Sequence, residues 1–188
     1  MRVSGFCALL CFLSLNPIMA HAEADAGPID PSGAQLESSS DTWTGRPIPA
    51  EESTFIEINK KAQKSVAAGG DKDTIRNQRK SSLSAFGQKK FKGWIGLLSH
   101  MPDDGGDGNI SIRITISQDI TLETPFEIAP SSNIFKTANP LPYGTIVEIS
   151  GEFVPDAKDF FKETSFTSNG GLEAPGWLVR IDSFKALD

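Results

Sequence analysis

The spacing of apolar residues changes once along this chain, and this change constrains the fold more than any other feature. Before residue 87 the apolar residues recur at steps of three and four, as on one face of an α-helix. From Phe91 onward the pattern becomes that of β-strands. Residues 91–98 are apolar on both faces, as in a central strand, and in later segments apolar and polar residues alternate, as in strands with one buried side. A helical segment followed by a β-rich domain predicts the α+β class.

The first amphipathic helix is predicted over residues 54–68. Thr54 and Glu57 have the Thr-x-x-Glu spacing of a capping box, which satisfies two free amides at a helix start. The apolar stripe of this helix consists of Phe55, Ile58, Ala62 and Val66. The solvent side is expected to carry the lysines Lys60, Lys61 and Lys64.

A second helix is predicted directly after the first. Gly69-Gly70 can end the first helix, and Asp71 can cap the next one. One face of the second helix presents Ile75, Arg79 and Leu83 toward Phe86. Because lysines and arginines fill the remaining surface, the two helices together form a predicted basic helical segment over 54–86.

Five segments after the helices have the pattern of β-strands. The clearest is Ile110–Ser117, in which four isoleucines alternate with serine, arginine and threonine. The five candidates are 91–98, 110–117, 120–126, 146–154 and 177–184. A stretch long enough for a short helix, 128–141, lies between the third and fourth strands. This order is that of the OB-fold, so a five-stranded OB-fold-like Greek-key barrel is predicted over 87–188.

Several short motifs follow one another in the barrel region. They are Gly93-Trp94-Ile95-Gly96, Asp107-Gly108-Asn109, Val147–Phe153, Glu163–Thr167 and Trp177–Ile181. On these motifs the chain, from about Phe55 to its end, resembles a group of exported bacterial proteins with OB-fold-like domains, mostly of unknown function. The resemblance implies a scaffold and not an activity, so it supplies no catalytic residues.

The first 22 residues have the layout of an export signal peptide. A positive start, Met1-Arg2, precedes an apolar run from Val3 to Leu15, and Ala20-His21-Ala22 provides small residues for cleavage. The apolar run is about 13 residues long, whereas a membrane-spanning helix needs about 20. We therefore expect cleavage near Ala22, a periplasmic or secreted mature chain, and no transmembrane anchor.

Both cysteines of the chain, Cys7 and Cys11, lie in the predicted signal peptide. The mature chain is then expected to contain no disulfide, no thiolate nucleophile and no cysteine metal site. Loss of His21 leaves His100 as the only histidine, which argues against a histidine-rich zinc site. We therefore expect neither a bound metal nor a cofactor.

Residues 23–53 are rich in proline, serine, glycine and acids and contain few large apolar residues. Such a segment cannot bury enough apolar surface to offset the entropy lost on ordering. It is predicted to be a disordered acidic linker. Trp43 is the exception, because a large aromatic side chain could dock onto the folded domain or a partner.

Charge is unevenly distributed along the mature chain. Residues 23–57 contain eight acids and one base, and residues 58–92 contain ten bases and two acids. Residues 93–188 are acidic again, with fourteen acids and six bases. The basic centre either packs on the acidic parts of the chain or binds an anionic partner such as lipid headgroups, phosphorylated polysaccharide or nucleic acid. Outside the cytoplasm, nucleic acid is the least expected of the three.

The acidic residues do not match the spacing of a familiar site. The turn at 103–107 contains three aspartates but lacks the twelve-residue pattern of an EF-hand. Glu148 and Glu152 are about 13 Å apart on one strand, beyond the ~5–9.5 Å that glycosidase carboxylates require. A third group, in a predicted loop of undetermined geometry, consists of Asp156, Asp159 and Glu163.

These observations favour a binding protein over an enzyme. We expect a non-enzymatic binding or interaction module that recognises a protein or an anionic envelope partner. Trp94 and Trp177 are expected in the core, because both lie in predicted strands. The expected partner-binding residues are Phe160, Phe161, Arg113, Lys60, Lys61 and Lys64. The alternative is a hydrolase that acts on cell-envelope material through carboxylates brought together by the fold.

Overall fold

The computed structural model describes residues 43–102, 108–124, 128–165, 167 and 170–187. These residues form four helices: α1 (Ala50–Ala67), α2 (Lys72–Phe86), α3 (Asn133–Ala138) and α4 (Gly170–Glu173). The strands are β1 (Lys90–Pro102), β2 (Ile110–Ser117), β3 (Ile120–Glu123), β4 (Ile146–Phe153), β5 (Pro155–Asp156), β6 (Phe160–Phe161) and β7 (Gly176–Ala186). The predicted signal peptide with both cysteines, most of the predicted linker and the acidic turn at 103–107 lie outside the described residues.

Five of the strands close into a mixed β-barrel. β1 pairs antiparallel with both β2 and β4, and β3 pairs antiparallel with β2. β7 lies between β3, to which it is parallel, and β4, to which it is antiparallel. The strand order is therefore β1-β2-β3-β7-β4, returning to β1. A closed barrel with helices confirms the α+β prediction and is consistent with the predicted OB-like architecture.

The apolar residues of the alternating segments fill the interior of the barrel. Along β2 the four isoleucines are buried, whereas Ser111, Arg113 and Thr115 between them are half-buried. β4 repeats this pattern, with Val147 and Ile149 among its buried residues. Because successive residues of a strand point to opposite faces, one face of each strand lines the core. The predicted inward face of these two strands is confirmed.

β1 is longer than the predicted 91–98 and contains a bulge. Its pairing with β4 shifts register between Phe91 and Trp94. Gly93, inside this irregularity, has a φ of 68°, a left-handed conformation that glycine adopts without steric cost. The first half of β1 pairs with β4 and the second half, from Leu97, pairs with β2. One long bent strand thus holds two neighbours of the barrel together.

The chain between β4 and β7 contains more regular structure than its sequence pattern predicts. β5, β6 and α4 lie there, and each has only two to four residues. Elements this short show no periodicity, so this stretch reads as a loop. β3 ends at Glu123, before the predicted end at 126, and residues 125–127 are outside the described range. The short helix expected within 128–141 is α3.

α1 begins one turn earlier than the predicted capping box. The helix starts at Ala50, and Thr54 lies inside it, where its hydroxyl donates to the carbonyl oxygen of Ala50 at 2.9 Å. The capping-box prediction is therefore wrong, and α1 includes the last four residues, 50–53, of the predicted linker. The additional turn places Glu52 against β1, so tertiary packing and not a local cap determines where this helix begins.

α2 has the predicted cap. The side chain of Asp71 accepts a hydrogen bond from the backbone N–H of Thr74 at 2.8 Å. Hydrogen bonds from Thr74, the side-chain one first, hold the pKa of Asp71 below its usual range. Gly87 ends the helix with a φ of 66° and donates its N–H to the carbonyl oxygen of Leu83.

The helical segment and the barrel share one hydrophobic core. Phe55 of α1 is fully buried, and its ring centroid lies 5.2 Å from that of Trp94, 4.9 Å from Phe153 and 5.8 Å from Trp177. Leu83 of α2 belongs to the same cluster. The predicted boundary between residues 86 and 87 therefore does not divide two cores. Within the described residues, none of the helices has the length and apolar character needed to cross a membrane.

Candidate functional site

The predicted basic face is present on α1. Lys61 and Lys64 are exposed and Lys60 is half-buried, whereas Phe55 and Ala62 are buried on the opposite side. This arrangement follows from the helical period, because residues three or four apart share a face and the lysines fall between the apolar positions. The predicted orientation is therefore confirmed for Lys61 and Lys64. The buried face itself differs from the predicted stripe, because Ile56 and Asn59 are buried, whereas Ile58 and Val66 are half-buried. Lys60, Lys61 and Lys64 are called the α1 lysine face below.

The arginines of α2, in contrast, turn inward. Arg79 is buried, and its guanidinium donates to the carboxylate of Glu163 and, at 2.5 Å, to the carbonyl oxygen of Gly171. The guanidinium carbon also lies 5.0 Å from the ring centroid of Trp177, a cation–π distance. Burial lowers the pKa of Arg79, and the charge of Glu163 opposes that shift. This cation serves to attach α2 to the barrel.

Two acids of the predicted loop group, Asp159 and Glu163, meet at the neighbouring Arg76. Nη1 of Arg76 lies 3.2 Å from Oδ1 of Asp159 and 3.7 Å from Oε2 of Glu163. Asp156 accepts backbone N–H groups instead, from Lys158 and Asp159. The fold therefore brings Asp159 and Glu163 together, but it does so around two arginines. The arrangement is a salt-bridge network that joins α2 to the β5–β6 region.

Two open pockets flank the α1 lysine face. One, of about 490 Å³, is lined by all three lysines and by Glu57. The other, of about 760 Å³, shares Lys60 and Lys64 with the first and extends to Lys72, to the β2–β3 turn and to α4. Sequence reasoning identified the lysines but not these walls, because the turn and α4 approach α1 only through tertiary packing.

A buried acid lies beneath α1 that sequence reasoning missed. Glu52 has no exposed surface, and its Oε2 accepts the backbone N–H of Ile95 at 2.9 Å. Its Oε1 is buried without a hydrogen-bond partner among the described residues. Burial raises the pKa of Glu52 to about 8, and the hydrogen bond from Ile95 opposes the rise. The available signal was position, since Glu52 precedes Phe55 by three residues and shares its helix face.

The two adjacent phenylalanines are not equivalent. Phe161 is 1% exposed and stacks on Phe153, with ring centroids 4.3 Å apart and an interplanar angle of 19°. Its predicted contact with a partner is therefore corrected, because in this fold Phe161 is part of the core. Phe160 is half-buried and has a φ of 73°, which is uncommon for a bulky residue. A contact role for Phe160 stays a prediction.

The remaining predicted residues lie apart from the α1 lysine face. Arg113 is on β2, and its Nε donates to Oε1 of Glu123 on β3 at 2.9 Å. Its side chain is 40% exposed, so a contact role for Arg113 stays a prediction. Trp94 and Trp177 are buried, which confirms their expected core positions. The large side chains of Trp43 and Tyr143 are exposed. The structure thus separates the predicted site into one lysine face and several isolated side chains.

Within the described part of the chain, no group of three or more histidine, cysteine, aspartate or glutamate residues is placed to hold a metal ion. The acidic turn at 103–107 is not among those residues. Comparison with known protein families, with curated proteins and with solved structures found no match to this chain. The resemblance to exported OB-fold-like proteins therefore stays a prediction.

Proposed function

We propose that this protein is an exported, periplasmic binding module with an OB-type barrel, and that its α1 lysine face binds an anionic component of the cell envelope. The export signal and the resemblance support the location. The activity is recognition by surface contact without bond making or breaking. The barrel and α2 provide the rigid support that holds the lysines in place.

The observation that carries the proposal is that one set of cations forms ion pairs within the fold and another set does not. Arg76 and Arg79 are used inside the fold, where acids of the β5–β6 region neutralise them. Lys61 and Lys64 make no ion pair with any described residue and point to solvent. Unneutralised charge of one sign on a rigid surface raises the local concentration of oppositely charged partners. Lys61 and Lys64 of the α1 lysine face are thus among the cations of the basic centre that are left for an external anion.

The test measures binding of the chain from Glu23 onward to vesicles of phosphatidylglycerol and of phosphatidylcholine. We expect binding to the anionic vesicles alone, with retention that falls steeply above ~0.15 M salt, where the screening length is about 8 Å. The triple variant Lys60→Gln, Lys61→Gln, Lys64→Gln should lose most of this binding, because the change removes the charge from one face only.

The matched control removes three exposed lysines elsewhere, at Lys136, Lys158 and Lys162. Both triple variants change the net charge equally, so equal losses would point to net charge and contradict a localised face. Binding that ignores salt, or no binding, would also reject the proposal. Release of soluble fragments from purified envelope that depends on Asp159 and Glu163 would instead support the alternative hydrolase.

A further inference from the structure

The larger pocket beside the α1 lysine face combines cations with hydrogen-bond acceptors. It has a volume of about 760 Å³. Lys60 and Lys64 of α1 and Lys72 of α2 supply the positive groups, and Gln118 and Asp119 of the β2–β3 turn form the facing wall. Glu173 of α4 also lines the pocket, so four separate elements meet around one open space beside the last turns of α1.

The lysines of this pocket differ in whether they form ion pairs within the protein. Nζ of Lys72 lies 3.0 Å from Oε1 of Glu173, but the two side chains are 42% and 57% exposed, so this pair holds weakly in water. Gln63 is occupied, because its amide donates to the backbone carbonyl oxygen of Glu173 at 2.9 Å and thereby fixes α4 against α1. Lys64 has no ion-pair partner among the described residues. An entering anion therefore meets Lys64 first and can compete for Lys72.

The facing wall suits a different chemical group. Asp119 is exposed and lines the pocket, and its φ of 61° holds it in a tight turn that only a few residue types tolerate. A carboxylate repels phosphate oxygens but accepts hydrogen bonds from hydroxyl groups. The amide of Gln118 beside it can both donate to and accept from hydroxyls. A ligand that fills the pocket needs an anionic end at the lysines and hydroxyls at the turn.

We propose that this pocket binds a polyol phosphate, meaning a phosphate ester whose carbon skeleton carries several free hydroxyls, such as a phosphorylated sugar. The phosphate lies against Lys64 and Lys72, and the hydroxyls face Asp119 and Gln118. This inference rests on the proposed function and narrows it, because it names the envelope chemistry and assigns it to one side of the lysine face.

The test follows amide resonances by NMR during titration of the chain from Glu23 onward with glucose 6-phosphate, inorganic phosphate and glucose. We expect glucose 6-phosphate to shift resonances of the α1 C-terminal turns, residues 118–119 and α4 together, and to bind at least about five-fold more tightly than inorganic phosphate. Glucose should bind most weakly. Phosphatidylglycerol vesicles form a separate arm, since tighter binding there than to the free ester would identify a lipid headgroup as the source of the same chemistry.

Two variants examine the two ends of the site. Lys64→Gln should weaken glucose 6-phosphate binding about ten-fold, the size expected for loss of a charged hydrogen bond. Lys61→Gln is the matched control, because Lys61 lies on the same helix and is exposed but does not line this pocket. Asp119→Asn keeps a residue suited to positive φ and should weaken binding of the sugar phosphate while leaving or strengthening that of inorganic phosphate.

The outcomes separate this inference from the proposed function. If Lys61→Gln and Lys64→Gln weaken binding equally, the face attracts anions diffusely and the pocket assignment is wrong. If inorganic phosphate binds as tightly as the sugar ester, or Asp119→Asn affects both alike, the hydroxyl recognition is wrong. If neither Lys64→Gln nor Asp119→Asn affects binding of glucose 6-phosphate, and the phosphatidylglycerol vesicles are not bound, the proposed function fails as well.

Discussion

Replacing Glu52 with glutamine should change how stability depends on pH. Glu52 is fully buried, and its pKa is raised from 4.5 to about 8. Between these values the folded protein keeps a proton that the unfolded chain has released, so the free energy of unfolding falls as pH rises through this window. Above about pH 8 both states are ionised and the fall stops. The Glu52→Gln variant has no proton to lose and should lack this slope.

The size of the effect follows from the pKa shift. One pKa unit corresponds to about 1.4 kcal/mol of difference between the two protonation states. Between pH 5 and pH 8 the wild type should therefore lose about 3 kcal/mol that the variant retains. Glutamine keeps the oxygen that accepts the N–H of Ile95, but its amide hydrogens add a cost that does not vary with pH. The slope with pH is thus the informative quantity.

The assay is urea unfolding followed by tryptophan fluorescence at four pH values between 5 and 8, since Trp94 and Trp177 lie in the shared core. Glu51→Gln is the control, because Glu51 is the exposed neighbour on the same helix turn. The stability difference between Glu52→Gln and wild type should grow with pH, and that of Glu51→Gln should stay flat. Parallel curves for wild type and Glu52→Gln would refute the reasoning.

Two further predictions concern the contacts that join α2 and β6 to the barrel. Arg79→Met should lower the free energy of unfolding by about 3 kcal/mol, because Glu163 then keeps only the more distant Arg76 as an ion-pair partner. The double variant Arg79→Met, Glu163→Leu should recover at least half of this loss. Urea unfolding that shows no recovery in the double variant would contradict the proposed salt-bridge network. Phe161→Ala should cost about 3–5 kcal/mol, as expected for a buried aromatic. Phe160→Gly should lower the free energy of unfolding by about 1 kcal/mol or less, since relief of the positive φ of Phe160 offsets the lost packing. If thermal unfolding shows equal losses of stability for Phe161→Ala and Phe160→Gly, the distinction between a core and a half-buried phenylalanine is wrong.

The barrel could be predicted because the residue pattern that specifies each strand lies within that strand. The alternation of apolar and polar residues along Ile110–Ser117 and 146–154 indicates which face of each strand is buried, and a period-two pattern has few other interpretations. The same holds for the solvent side of α1 and for the Asp71 cap, which depend on residues within one or two helical turns. In these places local preference and tertiary packing agree.

The contacts that distinguish this fold lie far apart in sequence. Glu52 meets the N–H of Ile95 across 43 positions, and Arg79 meets Glu163 across 84. Periodicity places Arg79 on the face of Ile75 and Leu83, but it does not identify Glu163 as the partner. Glu52 falls in the predicted linker, so its contact with β1 is not predicted either. The start of α1 and the walls of the pocket beside the α1 lysine face could not be predicted for the same reason. Each is set by which elements the closed barrel brings together.

The position of β7 between β3 and β4 has a consequence for recognition. Once it is inserted, each strand of the closed barrel has a hydrogen-bonded neighbour on both sides over at least part of its described length, so fewer backbone groups remain to which an extended peptide could add as a further strand. The β5–β6 ladder has only two residues in each strand. Partner selection by the described barrel strands should then depend more on side-chain chemistry than on strand addition, and single substitutions on the barrel surface should be able to change it.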